Sequence, residues 1–211
     1  MDQFCLIISG GEFEEIPDRY RDPHHIIACD RGWQYAEKLR LKPDLVVGDF
    51  DSAPVPESYV PVLQVPSEKD DTDTMLAARR ALTLGCRHIV ICCAFGGRMD
   101  HTFANIQTGA FLAARGADCV LLGKNTEAEI FTDQARLIER RDGWSLSVFS
   151  LTDECLGVTI RGTAYECEDA ALTNAFPLGV SNRWTRDFAE ITVKRGILMV
   201  MRSRLEKGEH I

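Results

Sequence analysis

Through the first 123 residues short apolar runs alternate with helical patterns, and this alternation constrains the chain more than any other feature. It demands a layered α/β domain with a mostly parallel sheet. Apolar runs at 4–9, 25–29, 45–47, 60–65, 88–94 and 119–122 read as strands. Between them, residues 73–84 carry Met75, Leu76 and Leu82 at helical spacing, with Gly85 just past the end. Residues 101–115 do the same with Phe103, Ile106, Ala110 and Phe111 before Gly116, and residues 33–39 present Trp33, Ala36 and Leu39 on one face. After Gly123 the pattern changes to short alternating runs at 129–132, 136–140, 145–150, 157–160, 188–193 and 196–201, separated by turn residues. That spacing predicts an all-β sandwich, so the expected domains are 1–123 (α/β) and 124–211 (β-sandwich).

Composition narrows the function classes. A formal charge of −8 argues against a general nucleic-acid or anionic-membrane binder, whose footprint is a basic patch. The chain's start, Met1-Asp2-Gln3-Phe4, lacks the basic and apolar regions of a signal peptide, and no stretch approaches the ~20 apolar residues of a membrane span. The 8 cysteines are scattered, with no Cys-x-x-Cys pair of zinc or redox type, which points to free core thiols in a reducing compartment. The expectation is a soluble cytoplasmic protein.

The polar clusters at the ends of predicted strands carry the chemistry. Gly48-Asp49-Phe50-Asp51-Ser52 ends the third strand. If the chain stays extended there, Asp49 and Asp51 share one side at roughly 7 Å. Like charges so close call for a cation, and a hard divalent ion such as Mg²⁺ suits oxygen ligands. Taken alone the pair reads more readily as a polar turn, with Asp51 or Ser52 capping the next segment. Ser9-Gly10-Gly11 comes after the first strand, where small residues let backbone N–H groups approach a phosphate or simply make a turn. Asp30-Arg31-Gly32 comes after the second, with Asp30 a site acid or a helix cap. Lys69-Asp70-Asp71-Thr72-Asp73 opens the 73–84 helix, and Asp70 and Asp73 have capping-box spacing. Gly96-Gly97-Arg98-Met99-Asp100-His101 opens the next helix, with Asp100 a candidate cap.

Placed together at the carboxyl edge of a parallel sheet, these acids, bases and glycine turns fit a metal-bridged phosphate. Phosphoryl-type transfer needs this mixture: a metal bridging oxygens, Arg or Lys against developing charge, and an acid to take the hydroxyl proton, for which Asp73 and Asp100 both stand. No Gly-x-x-x-x-Gly-Lys-Ser/Thr, kinase signature set or Gly-x-Ser-x-Gly elbow occurs, so P-loop, protein-kinase and Ser-His-Asp chemistries are set aside.

The ordered set of the 48–52, 69–73 and 96–101 clusters, with Gly179-Val180-Ser181-Asn182 further on in an all-β half, resembles thiamine pyrophosphokinase over nearly the whole chain. The resemblance implies transfer of a pyrophosphoryl group from MgATP to the thiamine hydroxyl, giving thiamine diphosphate and AMP. It implies a homodimer with thiamine at the junction between subunits. Carried over by position, it implies metal at Asp49, Asp51 and Asp73, and nucleotide or phosphate contacts from Gly10, Gly11, Asp30, Ser52, Lys69, Asp70 and Arg98. Catalytic roles fall on Asp73, Asp100 and Arg98, and thiamine contacts on Tyr165, Ser181 and Asn182. Tyr165 would cover the cationic thiazolium, with Trp184 as the other aromatic candidate. Two other readings compete: a Mg-dependent kinase or pyrophosphokinase of another small hydroxylated heterocycle, and a nucleotide or thiamine-diphosphate sensor without catalysis.

Overall fold

A computed structural model describes residues 4–50, 60–66, 68 and 70–206. The chain divides into two compact units, Met1–Lys124 and Asn125–Ile211.

Among the described residues of the first unit, six parallel strands, β1 (Phe4–Ile8), β2 (His25–Cys29), β3 (Leu45–Gly48), β4 (Val62–Gln64), β5 (His88–Cys92) and β6 (Asp118–Gly123), lie in the order β6-β5-β1-β2-β3-β4. They are joined in part by the helices α1 (Gly32–Lys38), α2 (Asp73–Thr83) and α3 (Met99–Ala113). β1 is central, pairing with β2 from Cys5↔His25 to Ile8↔Ala28 and with β5 from Phe4↔His88 to Ile8↔Cys92. All five of its residues are buried, as a strand covered on both faces requires. Leu6 and Ile8 join Ile26, Ala28, Tyr35 and Val46 in one core cluster. The strand order reverses at β1, so the connections from β1 and β5 leave in opposite directions and open a crevice at the carboxyl edge.

The second unit is an antiparallel sandwich. One sheet runs β12-β9-β14-β7 and the other β11-β10-β13-β8. Their strands are β7 (Thr126–Phe131), β8 (Gln134–Glu139), β9 (Trp144–Ser150), β10 (Glu154–Arg161), β11 (Cys167–Thr173), β12 (Gly179–Asn182), β13 (Phe188–Val193) and β14 (Leu198–Arg204). Inward residues from both sheets, including Phe131, Ile138, Val148, Val158, Ile191 and Val200, form its core. The expected fold class, a mostly parallel α/β domain with an all-β sandwich after it, is the one observed.

Several local expectations are corrected. β11 and β12 escape the apolar pattern because most of their residues are exposed, leaving no alternation to read. β5 stops at Cys92, two residues short of the expected 94, because Cys93 takes a left-handed backbone (φ 52°). On α1 the buried residues are Gly32, Tyr35 and Ala36, while Trp33 is only partly covered. α3 starts at Met99, and its cap position is Arg98. The eight cysteines are free thiols, seven of them buried.

Because β1 is held by a strand on each side, Ile7, fully buried, has no room to compensate for lost volume. Ile7→Ala is expected to lower the unfolding free energy by about 2–5 kcal/mol in urea titration with little change in slope.

Candidate functional site

A cavity of about 840 Å³ occupies the crevice at the strand-order reversal. It is built from the segments after β1, β2, β3 and β5 and from the first turns of α2 and α3. Of the sequence-predicted residues, Gly10, Gly11, Asp30, Asp49, Asp73 and Arg98 line it. Asp70 and Asp100 are exposed and do not line it. Asp51, Ser52 and Lys69 lie outside the described residues.

The glycine turns have a steric reason. A Cβ on Gly11 would stand 2.4 Å from Cys93 O and 2.5 Å from Phe95 O. There the first turn is stitched to the fifth-strand loop by Gly11 N–H donating to Cys93 O (2.9 Å) and Glu12 N–H to Phe95 O (2.9 Å). Gly96 and Gly97 both have positive φ, 83° and 69°, which glycine adopts without the penalty of a side chain.

The acids are placed by backbone rather than by caps. Thr72 caps α2, its Oγ1 accepting from Met75 N–H at 3.2 Å, so neither Asp70 nor Asp73 has that task. Asp71 is engaged with Arg79 at 3.0 Å. Asp30 does not cap α1 either: the cap position is Arg31, and Asp30 has φ 45° with its N–H donated to Val47 O at 2.8 Å. The extended chain expected at Asp49-Phe50 is not found, and Asp51 lies outside the described residues. β3 ends at Gly48 and Phe50 has φ 59°, so the chain is not extended there and Phe50 packs against the core.

Arg98 and Asp100 form a two-pronged ion pair, Nε to Oδ1 at 3.1 Å and Nη2 to Oδ2 at 2.5 Å, and both side chains are exposed. The Arg98 hydrogen bonds hold the Asp100 carboxyl below its ordinary value, and the same bonds raise the guanidinium. A carboxylate so held is a weaker proton acceptor.

Residues that sequence reasoning missed also line the cavity, among them Tyr35, Phe13, Glu12, Thr74 and Asn105. Tyr35 OH donates to Gly11 O at 3.0 Å and its ring meets that of Phe13 at 5.3 Å. Asn105 Nδ2 donates to Ala94 O at 2.8 Å, and Thr74 Oγ1 meets Ser9 Oγ at 3.0 Å. The Tyr35 and Thr74 contacts span 24 and 65 residues, beyond the reach of local pattern.

In the second unit, Tyr165 is 67% exposed and Ser181 is exposed with φ 59°. Asn182 is buried, bonded to Thr163 and to both sides of the Tyr165 backbone. Trp184 is buried in the sandwich core, its Nε1–H donating to Ile138 O at 3.0 Å, so its ring is not open to a ligand. Of the two aromatic candidates, Tyr165 is the one at the surface.

The donor chemistry of the cavity, Asp30, Asp49 and Asp73, is hard carboxylate oxygen and fits Mg²⁺. Among the described residues no three acids, histidines or cysteines group closely enough to hold an ion by themselves.

A parallel sheet with an acid- and glycine-lined crevice at its order reversal, joined in sequence to an antiparallel sandwich, places the chain among two-domain α/β proteins that bind ligands at a sheet edge. Residues 19–121 match the family model described as thiamin pyrophosphokinase, catalytic domain, and residues 135–198 match that described as thiamin pyrophosphokinase, vitamin B1 binding domain. Thiamine pyrophosphokinase of Bacillus subtilis is 28% identical over 207 residues, covering 93% of this chain and 97% of that protein. The crystal structure of thiamine pyrophosphokinase from Bacillus subtilis superposes with TM-score 0.84 at 26% identity, over 96% of this chain and 99% of the other. That of the Geobacillus thermodenitrificans protein shares the fold, with TM-score 0.80 at 23% identity, over 99% and 100%. The chain belongs to the thiamine pyrophosphokinase family.

The Arg98–Asp100 pair gives a measurable signature. Its stabilising contribution is complete above the ordinary carboxyl value of 3.8 and is lost as pH falls through the lower folded value. Carboxyl-carbon NMR titration is expected to show Asp100 titrating below 3.8 in the wild type and returning toward it in Arg98→Gln. An unchanged titration would show that the pair does not persist in solution.

Proposed function

We propose that this enzyme transfers a pyrophosphoryl group from ATP to the hydroxyl of thiamine, giving thiamine diphosphate and AMP. The observation that carries this reading is the convergence of Asp30, Asp49 and Asp73 with Arg98 and two glycine turns on one cavity at the strand-order reversal. The names of the matched family and of its relatives supply the substrate.

In this reading ATP binds in the first unit. Backbone N–H groups at Gly10 and at Gly96-Gly97 approach its phosphates, while Gly11, its N–H bonded to Cys93 O, keeps the turn close to the fifth-strand loop. Asp49, with Asp51 from the neighbouring segment, would hold Mg²⁺, Asp30 lines the same cavity, and Asp70 is assigned to the nucleotide by position. Bound there, the ion would supply positive charge against the phosphates. Ser52 and Lys69 are assigned to phosphate by position.

The thiamine oxygen attacks the β-phosphorus, the bond from that phosphorus to the α–β bridging oxygen breaks, and AMP leaves with the bonding pair. Asp73 receives the hydroxyl proton. Asp100 is the weaker acceptor as long as Arg98 holds it, and Arg98 on turning to phosphate would offset the charge of the leaving group. Thiamine lies on Tyr165 in the second unit, with the exposed Ser181 as polar partner.

We assign the enzyme to a homodimer. The second unit exposes an apolar run, Phe176, Leu178 and Val180, whose burial a partner would favour. A cytoplasmic setting suits the eight free thiols. No described helix is long and apolar enough to cross a membrane.

Incubation with MgATP and thiamine is expected to release AMP and thiamine diphosphate in equal amounts, and ADP as the sole nucleotide product would remove pyrophosphoryl transfer. Asp73→Asn should lower kcat by roughly 10²–10⁴ with an unchanged Tm, the range for a lost general base. Near-normal turnover in that variant would move the proton acceptor elsewhere.

A further inference from the structure

Asn182 sits 5% exposed behind an aromatic that is 67% exposed, and every hydrogen-bonding position of its amide is taken. Its Oδ1 accepts from Tyr165 N–H at 3.0 Å and from Arg183 N–H at 2.9 Å. Its Nδ2 donates to Thr163 Oγ1 at 3.1 Å and to Tyr165 O at 2.8 Å. A carboxamide has two donors and two useful lone pairs, so nothing remains for a ligand. Thr163, 3% exposed, closes the ring by donating from Oγ1 to Tyr165 O at 3.1 Å.

The backbone is arranged to send this amide inward. The β12–β9 register shifts between Gly179 and Asn182, and within that irregularity Ser181 has φ 59°. The shift leaves Ser181 exposed and Asn182 buried on adjacent positions. Ala164 N–H donates to Arg183 O at 2.9 Å and Gly162 N–H to Glu166 Oε1 at 2.6 Å, so the segment around Tyr165 is also fastened on either side. A buried polar network with every position matched rigidifies the segment it fastens.

We propose that Asn182 is a positioning residue: through the Thr163–Asn182–Tyr165 hydrogen-bond ring it fixes the Tyr165 backbone, and so the point from which that side chain reaches thiamine, and does not itself touch the substrate. The proposal rests on the assignment of Tyr165 to thiamine made above. It divides the Ser181-Asn182 pair into one residue facing the ligand side and one facing the protein.

A double-mutant cycle tests it, read as KM for thiamine, KM for ATP, kcat and Tm on the full-length enzyme. Tyr165→Ala is expected to raise the thiamine KM about tenfold or more, the size of a lost cation–π contact in a partly dry site, with the ATP KM unchanged. Asn182→Ala should raise the thiamine KM by a similar factor and lower Tm. In the Tyr165→Ala background, Asn182→Ala should lower Tm again but add nothing further to the thiamine KM. A merely structural role would not produce that loss of effect on KM with the effect on Tm retained. If the two KM factors multiply, Asn182 contacts thiamine on its own and the proposal is overturned. If Tyr165→Ala leaves the thiamine KM unchanged while AMP is still formed, the Tyr165 assignment and this proposal fall together and the reaction stands. Should Asn182→Ala not fold, Thr163→Val removes the other arm of the ring at nearly constant volume. It is expected to raise the thiamine KM in the wild type and not in Tyr165→Ala, and a rise in both would overturn the proposal.

Discussion

The pairing of β1 with a parallel strand on each side is the constraint on which the first unit rests. Parallel pairing makes all carboxyl ends emerge at one edge, so the polar segments after β1, β2, β3 and β5 meet whatever their distance in sequence. Order reversal at β1 then decides where the crevice opens. Short backbone bonds hold its walls together: Ser9 N–H donates to Cys92 O at 3.0 Å and Gly11 N–H to Cys93 O at 2.9 Å. A glycine is needed where those walls touch, because the carbonyls of Cys93 and Phe95 fill the space of a side chain. The lining is thus preorganised by the sheet, which spares a bound phosphate the cost of ordering it.

The second unit solves a different problem, holding exposed groups still from a dry interior. Its core contains Trp184 with the indole N–H satisfied by Ile138 O. Toward one side it also contains Arg202, which is buried and bonded to Glu127 and, at 3.1 Å, to Glu129, with Arg141 on Glu127 at 2.8 Å. Removing one member of such a network leaves a buried charge without compensation, a loss of about 3–5 kcal/mol. The same rule, that polar groups in the interior must be fully matched, governs Asn182 and Thr163.

Much of the fold was legible in the amino-acid order, because short apolar runs and helical spacing are local signals. The acids and glycines of the cavity were legible for the same reason: Gly10, Gly11, Asp30, Asp49, Asp73 and Arg98 each come just after a strand or open a helix. What escaped was set by contacts between distant segments. Tyr35 carries no local signal of its place, which is set by its hydroxyl reaching Gly11 O 24 residues away. Trp184 stands as the other aromatic candidate for thiamine until the sandwich closes over it. Phe50 reads as the middle of an extended run, and its positive φ has no marker in the residue type. Capping defeated the local reading differently, since Asp70, Asp71 and Asp73 competed with Thr72 and the threonine won.

Seven buried thiols in a chain of 211 residues also set how this protein fails. While the fold is intact, burial raises thiols such as Cys5, Cys29, Cys92 and Cys119 far from the reactive thiolate form and keeps oxidants away. On unfolding the seven buried thiols become reachable at once, and under oxidising conditions non-native disulfides trap chains before they can refold. Lifetime outside a reducing environment is therefore governed by how often the sheet opens, a rate, and not by the free energy of folding alone.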